Sequence, residues 1–401
     1  MPLGSVKPIL GKSAYLLILM LLSVDFFHFS PLSGILSHDI CLVMFLAWLA
    51  VGHFIYNPSG HYGRLTFKFS AWPMLAIWAG VLISFLPAWL IFGQPFMTSL
   101  ITSRDMLSLL ALPVILAINP SLKELESFSR TFSIILLSFA ILDALGIPIL
   151  SREFYIAEGR TEDVLIDEDS FVMILPGMQF VALSFIFALD SLRKCFSVRN
   201  LVETVFFFGA VFLLQNRTTL FAVSCIMVVA LFTIKGLDRR RTKYIRVFSA
   251  TLLVVALAIT APQWIKLVTQ TRLELGNSDY NRILAYTYFL TSACPGLLYY
   301  FTGTGLISAK VSSHMKDLMA MGIYNSDVGL VGMWNHYGII PVVAILVIVL
   351  SGLFGRSRTF LVRSNAFYML VASFTIGIFV TVPNIMWLSV FVCLCAKNEQ
   401  G

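Results

Sequence analysis

The sequence predicts an all-α, polytopic membrane protein of about twelve spanning helices. Three observations carry that expectation. Of 401 residues, 58% are apolar and only 12% charged, with a mean hydropathy of +0.87. A soluble fold of this length needs more charge to cover its exterior. The apolar residues fall in repeated runs long enough to cross a bilayer, and they are continuous where a transmembrane barrel would alternate. Lysine and arginine, finally, are distributed unevenly between successive gaps.

In chain order the runs place spans near residues 13–30, 34–56, 71–92, 99–118, 129–147, 170–190, 200–214, 218–235, 247–264, 327–350, 366–382 and 384–396. The first is flanked by Lys7 and Lys12 and lacks a small-residue cleavage site, so it reads as a retained span. With the N-terminus cytoplasmic, the inside gaps collect most of the 28 Lys and Arg residues, including the run GLDRRRTKYIR at 236–246. Left outside are Arg104, Arg152, Arg160, Arg217, Lys266, Arg272, Arg282, Lys310 and Lys316. The net charge of +7 is therefore an orientation signal and makes no case for nucleic acid. On this layout both termini are cytoplasmic. The whole of 1–401 is one membrane domain, with an acidic outer loop at 148–169 and a large outer loop at 265–326, between the ninth and tenth spans. The six cysteines show neither ligand spacing nor a disulfide framework, and Cys393 and Cys395 read as small core residues. No phosphate-cradling glycine loop occurs on the inner side, which argues against an ATP-driven pump.

The outer face carries the chemistry. Orientation alone is served equally by lysine, yet most outer cations are arginine, whose planar fork grips phosphate with two hydrogen bonds. Arg217 interrupts FFFGAVFLLQNRTTLFAVSCIMVVALF with almost no loop, which puts it at the membrane interface. There it serves either as a lipid anchor or helix cap, or as a diphosphate contact on a substrate path. Arg160 stands among Glu153, Glu158, Glu162, Asp163, Asp167, Glu168 and Asp169, which read as a solvated acidic face before they read as a cation site. Arg282 opens the helical stretch NRILAYTYFL, capped by Asn277, Ser278 or Asp279, where an anion would meet both guanidinium and helix N-terminus. Ile283, Leu284, Tyr286 and Phe289 would let that helix dip into the membrane surface. Arg272 lies upstream in the same loop. TGTGL (302–306) is a turn whose Gly303 and Gly305 set loop geometry. Asp327 opens the tenth span, either as its N-cap or as a carboxylate able to take a proton from a sugar hydroxyl, and His314 is the second candidate base. His336, deeper in that span, reads as a core histidine.

At these residues the chain resembles the bacterial O-antigen polymerase and ligase superfamily. LLQNRTTLFAV is similar to the family's Ser-Arg-Gly-type turn, with Asn216 and Thr218 in the flanking places. NRILAYTYFL followed by TGTGL is similar to its arginine helix and Gly-x-Gly turn. Asp327-Val328-Gly329 and Tyr337-Gly338-Ile339 are similar to its Asp-x-Gly and Tyr-Gly-Ile steps, and EGRTEDVLIDEDSFVMILPGMQ to its earlier loop arginine. The likeness covers about residues 155–345. His314 lies well before the span at which the ligase branch carries a His-Asn pair, which favours a polymerase. The resemblance implies periplasmic glycosyl transfer at the bacterial inner membrane between glycans on polyprenyl diphosphate such as undecaprenyl diphosphate. It implies neither metal nor cofactor, an inverting step, and partners limited to donor and acceptor lipids, membrane lipids and a chain-length regulator. In that reading Arg160, Arg217, Arg272 and Arg282 hold the diphosphate, and Asp327 or His314 is the base. An O-antigen ligase, and a flippase or other secondary transporter of lipid-linked oligosaccharides, are open alternatives.

Overall fold

The computed structural model describes residues 10–28, 37–56, 67–145, 147, 176–214, 217–233, 281–292, 296–308, 311, 312, 316–318, 321, 323, 328–356, 358–374 and 381–398. Among these every regular element is helical. In order they are α1 (Lys12–Ser23), α2 (His38–Tyr56), α3 (Phe67–Phe92), α4 (Phe96–Thr102), α5 (Ala111–Ile118), α6 (Leu122–Ala144), α7 (Gln179–Lys194), α8 (Val198–Leu213) and α9 (Arg217–Phe232). There follow α10 (Asn281–Thr287), α11 (Leu297–Thr302), α12 (Gly329–Tyr337), α13 (Ile339–Phe354), α14 (Phe360–Ala372) and α15 (Val382–Asn398). Residues 247–264, expected as the ninth span, lie outside the described set.

Among the described residues three stretches, His38–Tyr56, Trp72–Phe92 and Leu122–Leu142, are long and apolar enough to cross a membrane. A fourth crossing is available if α4 and Arg104–Ile118, bent by 60° from one another, count as one broken span. The helices turn large apolar side chains outward: Phe54 is 74% exposed, Leu90 63% and Trp89 58%. Such a surface suits hydrocarbon and not water. Inside, α7 and α15 are apolar nearly all round and are buried almost throughout, as central helices must be. Their buried amides satisfy each other, Gln179 Nε2 donating to Asn384 Oδ1 at 2.8 Å.

Two expected spans are broken. The run 99–118 bends after Thr102 and passes through a 3-10 stretch, Arg104–Leu110, before α5. Pro113 lacks an N–H, so the carbonyl of Leu109 has no α-helical donor and the tighter winding ends there. The run 327–350 is divided at Gly338, whose φ of +77° ends α12. A Cβ there would stand 2.0 Å from Phe301 O, so only glycine allows the crossing of chains at this point.

The polar residues separate into two ends. At one, Lys12 Nζ donates to Asn119 O at 3.2 Å, Lys397 to Asn119 Oδ1, and Arg358 Nη1 to Cys395 O at 2.7 Å. Arg130 pairs there with Glu126 and Glu203, and Asp190 with Arg193 and Lys194. This basic end gathers the charges assigned to the inner side by sequence. The opposite end holds the acidic cluster and the strap described next.

Candidate functional site

Gly303 and Gly305 belong to a strap, residues 302–308, that replaces helical hydrogen bonding at the Gly338 break. Thr304 N donates to Asn335 O at 2.8 Å and Gly305 N to His336 O at 2.9 Å. These two carbonyls lie in the last turn of α12, where a continuing helix would have supplied their donors. Gly303 has φ +73°, and a Cβ would come 2.3 Å from His336 O. Trp334 Nε1 donates to Tyr300 O at 2.7 Å, closing the same contact one turn away. His336 is buried, as the sequence predicts, with Nδ1 3.2 Å from Gly305 O.

The far side of the strap is clipped to the α3–α4 corner by Gln94, which is fully buried. Its Nε2 donates to Leu306 O at 3.0 Å and to Ser99 Oγ at 2.9 Å, and its Oε1 accepts from Ser308 N at 2.8 Å. Thr102 Oγ1 adds a bond to Leu306 O at 3.2 Å. Phe92-Gly93-Gln94-Pro95 reads locally as a helix stop, Gly93 adopting φ +64°. Nothing local marks Gln94 as a clip for a segment more than two hundred residues later.

Beyond Thr102 the same corner carries an ionic cluster. His38 opens α2 with Nδ1 2.7 Å from Asp25 Oδ2 and Nε2 3.0 Å from Asp105 Oδ1. An imidazole facing a carboxylate oxygen with each nitrogen donates to both when it carries both protons. Arg104 Nε lies 2.6 Å from Asp39 Oδ1. Cys41, one turn into α2 and buried, lies beside Asp25. Tyr337 is completely buried, with Ser103 beside its hydroxyl. Neither the Tyr337 hydroxyl nor Ser103 Oγ completes a hydrogen bond. The imidazole occupies the space between the two carboxylates, and among the described residues no group of three or more His, Cys, Asp or Glu is arranged to hold a metal ion.

Asp25 reaches His38 through an unusual turn. Asp25, Phe26 and Phe27 have φ of 49°, 51° and 58°, the left-handed region that disfavours residues with a Cβ. Each costs about 1–2 kcal/mol. Opposing that cost, Phe27 is buried against Phe132 and Phe139, with ring centroids 5.6 and 5.2 Å away. Two aromatic pairs contribute about 0.5–1.5 kcal/mol each and a charged hydrogen bond about 1.5–3 kcal/mol, so the contacts are of the size needed to hold the turn.

The other expected site residues are described less fully. Arg217 opens α9, and Thr219 fixes that first turn by a 3.1 Å bond to Tyr368 OH, but the Arg217 side chain lies outside the described residues. Arg282 stands in the first turn of α10, its side chain likewise outside. Of the apolar face expected to dip into the membrane surface, Phe289 is buried instead, packing with Ala285, Leu318, Ile323 and Val328, while the Tyr286 hydroxyl donates to Phe374 O. Arg160, Arg272, His314, Asp327 and the acidic triplet Asp167-Glu168-Asp169 lie outside the described residues. Of the arginines that the sequence assigns to the outer face, Arg104 is thus the one whose side chain the structure places, and it stands with acids.

Compared with models of protein families and with curated proteins, the chain matches none.

Proposed function

We propose that the chain is a polysaccharide polymerase, a glycosyltransferase that joins polyprenyl-diphosphate-linked repeat units on the outer face of a bacterial inner membrane. In this reading it spans the membrane about twelve times with both termini cytoplasmic, and residues 265–326 form its large periplasmic loop. One observation carries the proposal. Three stretches that bear the family resemblance, 281–290, 302–306 and 328–339, are packed on one another: Ala285 and Phe289 against Val328, and the strap amides on Asn335 and His336.

The chemistry asks for placement and charge control. A diphosphate is a good leaving group, and arginine donors stabilise its developing charge without a metal. Arg160, Arg217, Arg272 and Arg282 take that role in the proposal, and a base on the opposite face makes the step inverting. The test is purified protein in lipid with defined lipid-linked repeat units. A ladder of longer glycans without any ion gradient supports the polymerase, and no ladder across several defined repeat units sinks it. Anomeric analysis of the product tests inversion.

A second reading has its own support. Proton relays in transporters are built from Asp, Glu and His within apolar bundles, and Asp25, His38 and Asp105 make such a group. A proton-coupled exporter of lipid-linked oligosaccharide predicts gradient-driven movement of the intact lipid-linked unit across proteoliposomes, with no ladder.

A further inference from the structure

We propose that Lys12 and Lys397, drawn together on Asn119 at the basic end of the bundle, bind the phosphate of an anionic lipid headgroup. Lys12 Nζ donates to Asn119 O at 3.2 Å, and Lys397 Nζ donates to Asn119 Oδ1. Lys12 opens α1 and Lys397 stands in the last turn of α15, so the two ends of the chain bring their ammonium groups to one residue. Asn119 itself ends α5 in the left-handed region, at φ +50°. One lysine is enough to cover an open carbonyl at a helix end. A second on the same residue adds repulsion between like charges.

Among the described residues no carboxylate relieves that repulsion. Neither lysine forms an ion pair, whereas Arg130, Arg193, Lys194 and Arg199 at the same end all do. Glu124, the acid closest to Asn119 in the chain, is engaged in capping α6, where its Oε2 accepts from Ser121 N at 2.6 Å. Lys12 also sits in the first turn of α1, which has no acidic residue, and a cation there opposes the helix dipole. Each ammonium has three N–H donors and uses one on Asn119, which leaves two apiece for an anion.

The surroundings favour a lipid phosphate over a free one. Leu122, three residues after Asn119, is exposed. So are Phe54 and Ile55 at the end of α2, where the Tyr56 hydroxyl donates to Leu10 O at 2.6 Å just before α1. Cations beside apolar side chains open to hydrocarbon match a headgroup with its acyl chains. A phosphate held by both lysines bridges α1 and α15 across the α5–α6 turn, and its binding then adds to stability. The site is independent of the glycosyl-transfer reading and stands or falls without it.

The experiment uses the full chain in a neutral detergent, titrated with dioleoylphosphatidylglycerol or with dioleoylphosphatidylcholine, which has the same acyl chains and no net charge. Native mass spectrometry should find phosphatidylglycerol retained in preference to phosphatidylcholine, and phosphatidylglycerol should raise the thermal midpoint by about 3 °C or more. Wild-type protein that shows no preference between the two lipids overturns the proposal without any variant. Lys12→Gln combined with Lys397→Gln keeps a side-chain N–H donor at each position and removes both charges. It should weaken phosphatidylglycerol binding about 30-fold and erase the thermal gain. Lys194→Gln combined with Arg199→Gln removes the same charge from paired positions at the same end and should leave both readouts unchanged. An equal loss in the two double variants reduces the effect to general surface charge and sinks the site. Lys12→Arg with Lys397→Arg, which keeps the charge, should retain binding, so a glutamine variant that fails to fold does not leave the question open. Inorganic phosphate in lipid-free detergent is the last arm. A lysine-dependent rise in midpoint equal to that from phosphatidylglycerol overturns the lipid assignment in favour of a free-anion site.

Discussion

The two ends of the bundle use charge differently. At the basic end the ion pairs are mostly local: Arg130 with Glu126, Arg199 with Glu203, and Asp190 with Arg193 and Lys194 all lie three or four residues apart on one helix. At the acidic end every described pair joins separate elements, His38 to Asp25, His38 to Asp105, and Arg104 to Asp39. Local pairs support the helix that carries them and contribute little to tertiary geometry. Pairs between elements fix where helix ends stand relative to each other. The basic end therefore reads as anchorage, and the acidic end as a place where geometry matters.

Substitutions sharpen that contrast, beginning with the largest effect. Gly338→Val forces a Cβ onto Phe301 O and a side chain into a left-handed φ, and should abolish the folded protein as judged by detergent-solubilised yield and monodispersity. Gln94→Leu keeps the bulk but removes the Gln94 donor to Leu306 O and the Gln94 acceptor of Ser308 N. We expect a loss of about 2–4 kcal/mol, read as a lower thermal midpoint, with the basic-end pairs unaffected in cross-linking. At the proposed diphosphate grips, Arg217→Lys and Arg282→Lys should lose most of the ladder while stability is kept, since lysine serves a lipid anchor but not a two-bond contact. Arg199→Ala, at an exposed local pair, should change the thermal midpoint by no more than a degree or so, equivalent to a few tenths of a kcal/mol. A basic-end change as costly as Gln94→Leu would break the comparison.

The helical class was legible because apolar runs and charge distribution are properties of composition and order. The Gly-x-Gly turn was legible as a turn, although the partner of its amides was not. Hydropathy treats 327–350 and 99–118 as single spans because it registers apolar length and cannot see a glycine at φ +77° or a 60° bend followed by a 3-10 stretch. The acidic cluster was missed for a related reason. Asp25 and Asp39 fall inside the predicted spans 13–30 and 34–56, and Arg104 is one of several cations left on the outer side. His38 lies 13 residues from Asp25 and 67 from Asp105, so no local pattern joins them. One signal was present: Asp25, the His38-Asp39 pair and the Arg104-Asp105 pair each fall near the same predicted end of their spans. Charges recurring at one depth in successive helices deserve to be read as a layer.

The strap at 302–308 has a consequence for how this protein tolerates change. Its amides stand in for the turn that α12 lacks, a prosthetic piece of helix borrowed from another part of the chain. A loop is ordinarily the cheapest place to insert or delete residues. Here a deletion within 303–305 would take the Thr304 and Gly305 amide donors away from Asn335 O and His336 O inside an apolar bundle. The damage would appear as loss of the α12–α13 packing and not as a shortened loop, which makes this glycine-rich stretch part of the helical scaffold despite its sequence.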